Sequence, residues 1–326
     1  MNAKPNLTPE SWQYRDLNTK APSLSVLADT LIELAKEGHP VAAGTADLQH
    51  SNGLVLFAEA YPDRFVQFGI SEQNMVSAAA GIATTGMIPY VATFASFIGL
   101  LTCEQIRMDV AYCAQPVRMI GHHTGISMGF YGTSHHATED ISTMRALADL
   151  TVVSPSDGAQ FRQLLRHSAT YPEPIYFRIG RGHDPVIYEP EEKFELGKAK
   201  VHGFGEDITI IACGMAVYGA KQAVEALNAA GHSAGLVDMH TIKPLDEAVV
   251  LEAASTSRIV LTVEEHNILG GLGSAVAEIM AENPSKARLK RHGIMDEYAL
   301  ISPPRRLYQH YKLDGPGIQE VAESLL

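Results

Sequence analysis

With 326 residues, 46% of them hydrophobic and 19% charged, the chain is long enough for two ordinary domains and too apolar for a disordered class. A formal net charge of -12, with acidic residues spread along the chain, argues against nucleic acid or an anionic membrane surface as partner. Cys103, Cys113 and Cys213 fit neither a metal spacing nor a disulfide framework, and neither a membrane span nor a signal peptide is visible, so a cytoplasmic setting is expected.

Residues 1–22 are polar and read as an N-terminal arm. Leu24, Leu27, Leu31 and Leu34 recur at helical spacing and predict a helix over 22–36, ended by Gly38-His39-Pro40. A short buried strand, Val41 to Ala43, opens into the small, polar loop Gly44-Thr45-Ala46-Asp47-Leu48-Gln49-His50-Ser51-Asn52. Such a loop can offer donors to an anion or be an ordinary turn.

The most informative stretch is Phe65-Val66-Gln67-Phe68-Gly69-Ile70-Ser71-Glu72-Gln73-Asn74-Met75. A strand-like run is followed by one carboxylate, Glu72, and then by a helix of small residues. Open α/β sheets bind ligands outside the carboxyl ends of their strands, where Glu72 would stand. Alternatively, Glu72 is a first-turn acid stabilised by the helix dipole. A second strand, Tyr90 to Phe94, leads to Phe97. A helix over 104–114 and a strand over 117–120 come next.

From Gly121 to His136 the chain is rich in Gly, His, Ser and Thr and has little periodicity, as functional loops often do. The pairs His122-His123 and His135-His136 match no metal-ligand spacing, so polar substrate contacts or proton transfer are the better expectation. Helices over 139–148 and 157–169 flank a strand over 151–154. A further strand ends at Arg178-Ile179-Gly180-Arg181-Gly182, where an arginine between glycines suits bidentate capture of a phosphate or carboxylate, or a surface ion pair. A Pro, Glu and Lys-rich stretch marks a boundary, beyond which strands and helices alternate as in a parallel sheet. Gly270-Gly271-Leu272-Gly273 lacks the dinucleotide pattern and reads as tight helix–sheet packing or a subunit contact.

Together these segments resemble the C-terminal part of transketolases, in particular the small subunit of split transketolases. The likeness runs from about Leu24 to the C-terminus. It is carried by Gly44 to Leu48, Gly69 to Met75, Pro89 to Phe97, Gly132 to His135, Arg178 to Gly182, Lys243 to Asp246, Glu264 to His266 and Gly270 to Ser274. It implies an α/β fold of two domains: a pyrimidine-binding thiamine-diphosphate fold over 23–187, a linker over 188–204 and a transketolase C-terminal α/β domain over 205–326.

The resemblance also implies the site. Glu72 matches the glutamate that hydrogen-bonds N1′ of the thiamine diphosphate aminopyrimidine, where a buried carboxyl can share a proton and favour the imino tautomer. Phe94 and Phe97 match the aromatics around that ring. His123 and His135 match histidines that contact the sugar, with His135 also counted as catalytic, and Arg181 and Ser51 match residues near its phosphate. Two positions depart from the pattern. Tyr131 stands where an aspartate reads a sugar hydroxyl, and the arginine expected near the first helix is represented only by Arg15 and Lys20.

No Gly-Asp-Gly occurs in the chain, so the Mg²⁺ or Ca²⁺ and the diphosphate are expected on a separate large subunit, in an α2β2 assembly that also pairs this chain with itself. The implied activity is transfer of a two-carbon ketol unit from a ketose to an aldose. Alternatives within the resemblance are a branched, sulfonated or unphosphorylated sugar, a deoxyxylulose phosphate synthase, and a 2-oxo acid dehydrogenase beta subunit. Outside catalysis, the alternative is a non-catalytic assembly subunit.

Overall fold

Leu27, Leu31 and Leu34 are all buried, so α1 (Ser23–Lys36) lays one apolar face on a sheet, as its spacing requires. The structure, a computed structural model, describes residues 23–181 and 184–326. The expected arm over 1–22, with Arg15 and Lys20, and Gly182 lie outside the described residues. After α1 come β1 (Val41–Thr45), α2 (Val55–Ala60), β2 (Phe65–Gln67), α3 (Glu72–Ala83), β3 (Ile88–Phe94) and α4 (Ala95–Leu101). The short α5 (Cys103–Gln105) runs directly into a π-helical turn, Ile106–Ala111. The first half closes with β4 (Arg118–His122), α6 (Asp140–Ala146), β5 (Thr151–Val153), α7 (Gly158–Ser168) and β6 (Ile175–Arg178).

These strands lie in the order β5-β6-β4-β3-β1-β2, each parallel to its neighbours. Parallel strands need crossover helices, and both faces of the sheet are covered by them. On one face Leu27, Leu31 and Leu34 of α1 meet Phe161, Leu164 and Leu165 of α7. On the other, Met75, Val76 and Ala79 of α3 pack with Met144 of α6. All strand carboxyl ends therefore point to one edge, and each described candidate site residue lies at a strand's last residue or in a loop or helix start leaving that edge.

The second half comprises β7 (Lys200–Gly203), β8 (Ile208–Ala212), α8 (Ala216–Ala229), β9 (Ala234–Asp238), β10 (Thr241–Lys243), α9 (Glu247–Thr256) and β11 (Ile259–Asn267). It ends with α10 (Leu272–Glu282), β12 (Arg288–Ile294), α11 (Pro304–His310) and α12 (Gly315–Glu323). Its sheet has the order β12-β11-β8-β9-β7. The interior is parallel as expected, but β7 runs antiparallel to β9. β10 leaves this sheet and pairs antiparallel with β5, so the first sheet gains an edge strand from the second half. The purely parallel pattern thus fails at two edges, where an added strand needs no crossover.

The span expected as a linker, 188–204, carries β7 and also Tyr188, whose hydroxyl donates to Asp238 at 2.8 Å. One continuous core holds Met75 and Val76 of α3 with Ile211, Val237 and Leu272 of the second half. The Gly-Gly-Leu-Gly run is a close helix–strand contact. A Cβ at Gly273 would stand 2.7 Å from Thr262 Oγ1, and one at Gly271 would stand 1.9 Å from Glu264 Oε2. The Glu264 carboxylate caps α10 by accepting the Leu272 and Gly273 amides at 2.7 and 2.8 Å. The helix expected over 104–114 is the α5 and π-turn segment; α2, α4, β12, α11 and α12 were not evident from pattern. No described helix is long and apolar enough to cross a membrane.

Candidate functional site

Glu72 opens α3 just beyond the carboxyl end of β2, and 8% of its surface is exposed. Its Oε1 accepts the Thr93 hydroxyl at 3.3 Å, which ties it to the last turn of β3. A first-turn acid is favoured by the helix dipole, yet dipole stabilisation alone does not require burial beside a strand end. Thr93 precedes Phe94, so the acid and the first aromatic share one strand terminus.

Phe94 is the hub of an aromatic cluster. Its ring lies 5.3 Å from Phe97 edge-on, 4.9 Å from His122, 5.0 Å from His123 and 5.3 Å from His135, centroid to centroid. Phe97, on the first turn of α4, lies 5.2 Å from His135. Four of the sequence-predicted residues, Phe94, Phe97, His123 and His135, are therefore one contact group contributed by β3, α4 and the loop after β4. Tyr131 tilts over His135 at 5.0 Å and is 53% exposed, so an aromatic face occupies the position where the resemblance leads one to expect an acid.

His135 receives or donates one bond at Ser134 Oγ, 3.0 Å from Nδ1, and partial burial lowers its pKa from the ordinary value. His122 is wholly buried, which pushes its pKa down to about 3, so it is neutral at physiological pH. Its Nδ1 lies 2.5 Å from Nδ1 of His123, which obliges one ring to donate and the other to accept. Sequence reasoning singled out His123 and missed both His122 and Thr93; the adjacent His-His pair was the available signal for the first.

Arg181 follows Gly180, whose carbonyl accepts the His123 amide at 3.2 Å, so it enters the same strand edge beside the histidine loop. It is partly exposed, unlike Arg178, which is buried in an ion pair with Asp140 at 2.9 Å. Burial opposes the charge on Arg178, but Asp140 and Glu265 outweigh it and hold the guanidinium above its ordinary pKa. Ser51 is exposed in the loop after β1. Its neighbour Asn52 is buried and anchored to Thr45 Oγ1 at 2.6 Å and to the Ala92 carbonyl at 3.2 Å. Ser51 thus stands at the same edge, but on the far side of β3 from Arg181, and no contact joins it to the aromatic cluster.

The arrangement can do two things chemically. A buried carboxyl bonded to the strand end that also carries an aromatic cluster can hold a flat, nitrogen-bearing ring by one hydrogen bond and stacking. Histidines and an arginine beyond it can orient an oxygen-rich, anionic substrate. Among the described residues no group of three or more His, Cys, Asp or Glu is placed to hold a metal ion.

Known proteins share this architecture. Residues 21–185 match the family described as transketolase, pyrimidine binding domain, and residues 197–318 match transketolase, C-terminal domain. A Methanocaldococcus jannaschii protein named putative transketolase C-terminal section is 41% identical over 89% of this chain and 92% of its own length. A subunit of an apulose-4-phosphate transketolase from Phocaeicola vulgatus is 39% identical over 90% of this chain and 94% of its own. Among solved structures, a split gene transketolase described as an inactive beta4 tetramer superposes with a TM-score of 0.86 at 35% identity, covering 94% of this chain and 98% of that one.

Proposed function

The chain belongs to the transketolase family, as the small-subunit or C-terminal-section type of chain, and we propose that it works as the pyrimidine-binding half of a split, thiamine-diphosphate-dependent enzyme that transfers a two-carbon ketol unit from a ketose to an aldose. The observation that carries this is the pairing of Glu72, buried and bonded to Thr93, with the Phe94, Phe97, His123 and His135 group at one strand edge.

The residues fit the group. Glu72 offers a buried carboxyl for one ring nitrogen, and Phe94 with Phe97 offers aromatic walls, with Ser96 Oγ buried and unpartnered between them in sequence. When bound, the cofactor supplies a carbanion centre able to take up the two-carbon unit. The chain's own residues bind and orient. Glu72 would hydrogen-bond the ring nitrogen, the aromatics would exclude water, and His123 and His135 would contact the sugar oxygens. Arg181 and Ser51 approach its phosphate from the two sides of β3. The name of the relative that acts on a sugar phosphate supports that last role.

The diphosphate and its Mg²⁺ or Ca²⁺ are assigned to a large subunit, in an α2β2 assembly. The relatives named as a C-terminal section and as one subunit of a transketolase, and the β-only tetramer described as inactive, support this division. Mixing the chain with a large subunit should produce ketol transfer that neither shows alone. Tight binding of thiamine diphosphate and Mg²⁺ by this chain alone, measured by calorimetry, would contradict it. A second reading, an atypical sugar, is favoured by Tyr131: a neutral phenol tilted over His135 is a weaker acceptor for a sugar hydroxyl than a carboxylate, so it suits a substrate lacking or masking that hydroxyl. A panel of donor sugars compared by kcat/KM separates the two.

A further inference from the structure

The loop between β4 and α6 has two faces. One carries His123 and His135 against Phe94 and Phe97, with Tyr131 over His135. The other is seated on the second half of the molecule. Ile126 is fully buried, and its side chain belongs to the core formed by β8, β11, α8, α11 and α12. Its amide donates to Glu265 Oε1 at 2.8 Å, and the Tyr308 hydroxyl of α11 donates to the same oxygen at 2.5 Å.

Gly125 precedes it with φ +54°, and a Cβ there would stand 2.1 Å from Glu265 Cδ, so only glycine admits the carboxyl. Gly129 and Gly132 also face the C-terminal segment closely: a Cβ at Gly129 would stand 2.7 Å from Ser302 O, and one at Gly132 2.8 Å from Ile301 Cδ1. The loop neck is closed by reciprocal bonds between Gly125 and Ala137, and Asn267 donates to Thr138 O at 2.9 Å.

We propose that Glu265 is a positioning residue through which the C-terminal domain grips this loop, so that the seating of His123 and His135 depends on a side chain outside the pyrimidine-binding domain. The functional half of this rests on the reading of His123 and His135 as substrate contacts; the grip itself does not.

The electrostatics give the grip a measurable signature. Glu265 faces Arg178 of β6, Asp140 of α6 and Tyr308 of α11, with Asp184 near Tyr308 and Glu264 and His266 flanking it along β11. Burial raises its pKa from 4.5 to about 7, against the pull of Arg178 and of the Tyr308 and Ile126 donors. Its Oε2 is buried without a hydrogen-bond partner, which leaves one oxygen for the proton while Oε1 keeps both donors. The seated loop therefore holds a proton that a hydrated carboxyl would release. Opening becomes easier as pH rises from about 4.5 to about 7 and levels off above that.

The test is hydrogen exchange of peptides covering 123–138 in the full chain, at pH 5 to 8, corrected for intrinsic exchange. In the wild type the opening equilibrium should grow by roughly tenfold to a hundredfold between pH 5 and 7. Glu265→Gln should abolish that dependence, and Tyr308→Phe, which leaves β11 untouched, should raise exchange in the same peptides. If both variants match the wild type at every pH, the grip is overturned. With the large subunit added, Glu265→Gln should raise the sugar KM several-fold and move kcat less. Changed exchange with unchanged KM and kcat would instead overturn the assignment of His123 and His135 and leave the grip standing.

Discussion

The carboxyl ends of β2, β3 and β4 and the carboxyl end of β11 occupy equivalent places in two similar sheets, yet they spend their polar residues differently. In the first sheet Glu72 is buried but makes a single long bond to Thr93, while His135 and Arg181 are partly exposed. In the second, Glu264, Glu265 and His266 are all buried and turned to structural partners: the α10 amides, the Ile126 amide and the backbone of Asn267. Strand-end geometry offers a site in both sheets. The second one is filled by the Ile126 loop of the first domain and by helices of its own half, which converts a ligand position into a domain contact.

The sharpest way to break this contrast is at Glu72. In the presence of the large subunit, Glu72→Ala should lower ketol transfer about a hundredfold or more, with circular dichroism and thermal unfolding of the chain unchanged. Full turnover in that variant would remove the acid from the chemistry. On the structural side, Asp140→Ala strips Arg178 of its ion-pair partner inside the core and leaves a charge buried. It should cost about 3–5 kcal/mol in urea unfolding, a far larger loss than any exposed pair in the chain would give.

A pH scan refines the same comparison. Asp238 is buried and its pKa is raised to about 6 from 3.8, with Ser156, Gln160 and Tyr188 donating to Oδ2. The folded state therefore holds this proton more tightly than the unfolded chain. Its contribution favours folding at the acid end and is lost as pH rises from about 4 to about 6. Asp238→Asn should flatten that slope, by up to about 3 kcal/mol across the window, in unfolding monitored at fixed pH steps. Smaller again, Arg181→Ala should raise KM for a phosphorylated sugar about tenfold and leave an unphosphorylated one nearly unchanged. The smallest effect belongs to the exposed Arg107–Glu104 pair, where Arg107→Ala should move stability by less than ~1 kcal/mol.

Much of this was legible in the sequence because the parallel strands are apolar runs bounded by Gly and polar loops, and Glu72 follows one of them directly. What was not legible depends on distant partners. Glu265 sits in a Glu-Glu-His run that the sequence marks only as part of the family resemblance; only the packing of Ile126 and Tyr308 around it reveals a buried carboxyl. The three-residue β10 carries no pattern of its own, and its pairing with Val152 and Val153 is set by tertiary packing. His122 was overshadowed by its neighbour because nothing local distinguishes which of two adjacent histidines turns inward. α2 and α4 were missed for a simpler reason: at six and seven residues they offer too few turns for a helical period to show.

The strand borrowed from the second half has a consequence for how the molecule can be divided. β10 closes the side of the first sheet at β5, and Lys243 fastens it by donating to the Arg145 and Leu147 carbonyls. A fragment cut within 188–204 would leave the backbone of Thr151–Val153 as a bare edge, a template for pairing with other copies. The two family domains are thus separable on a sequence map but not in a test tube, and shuffling one without the other would trade a folded partner for an adhesive rim.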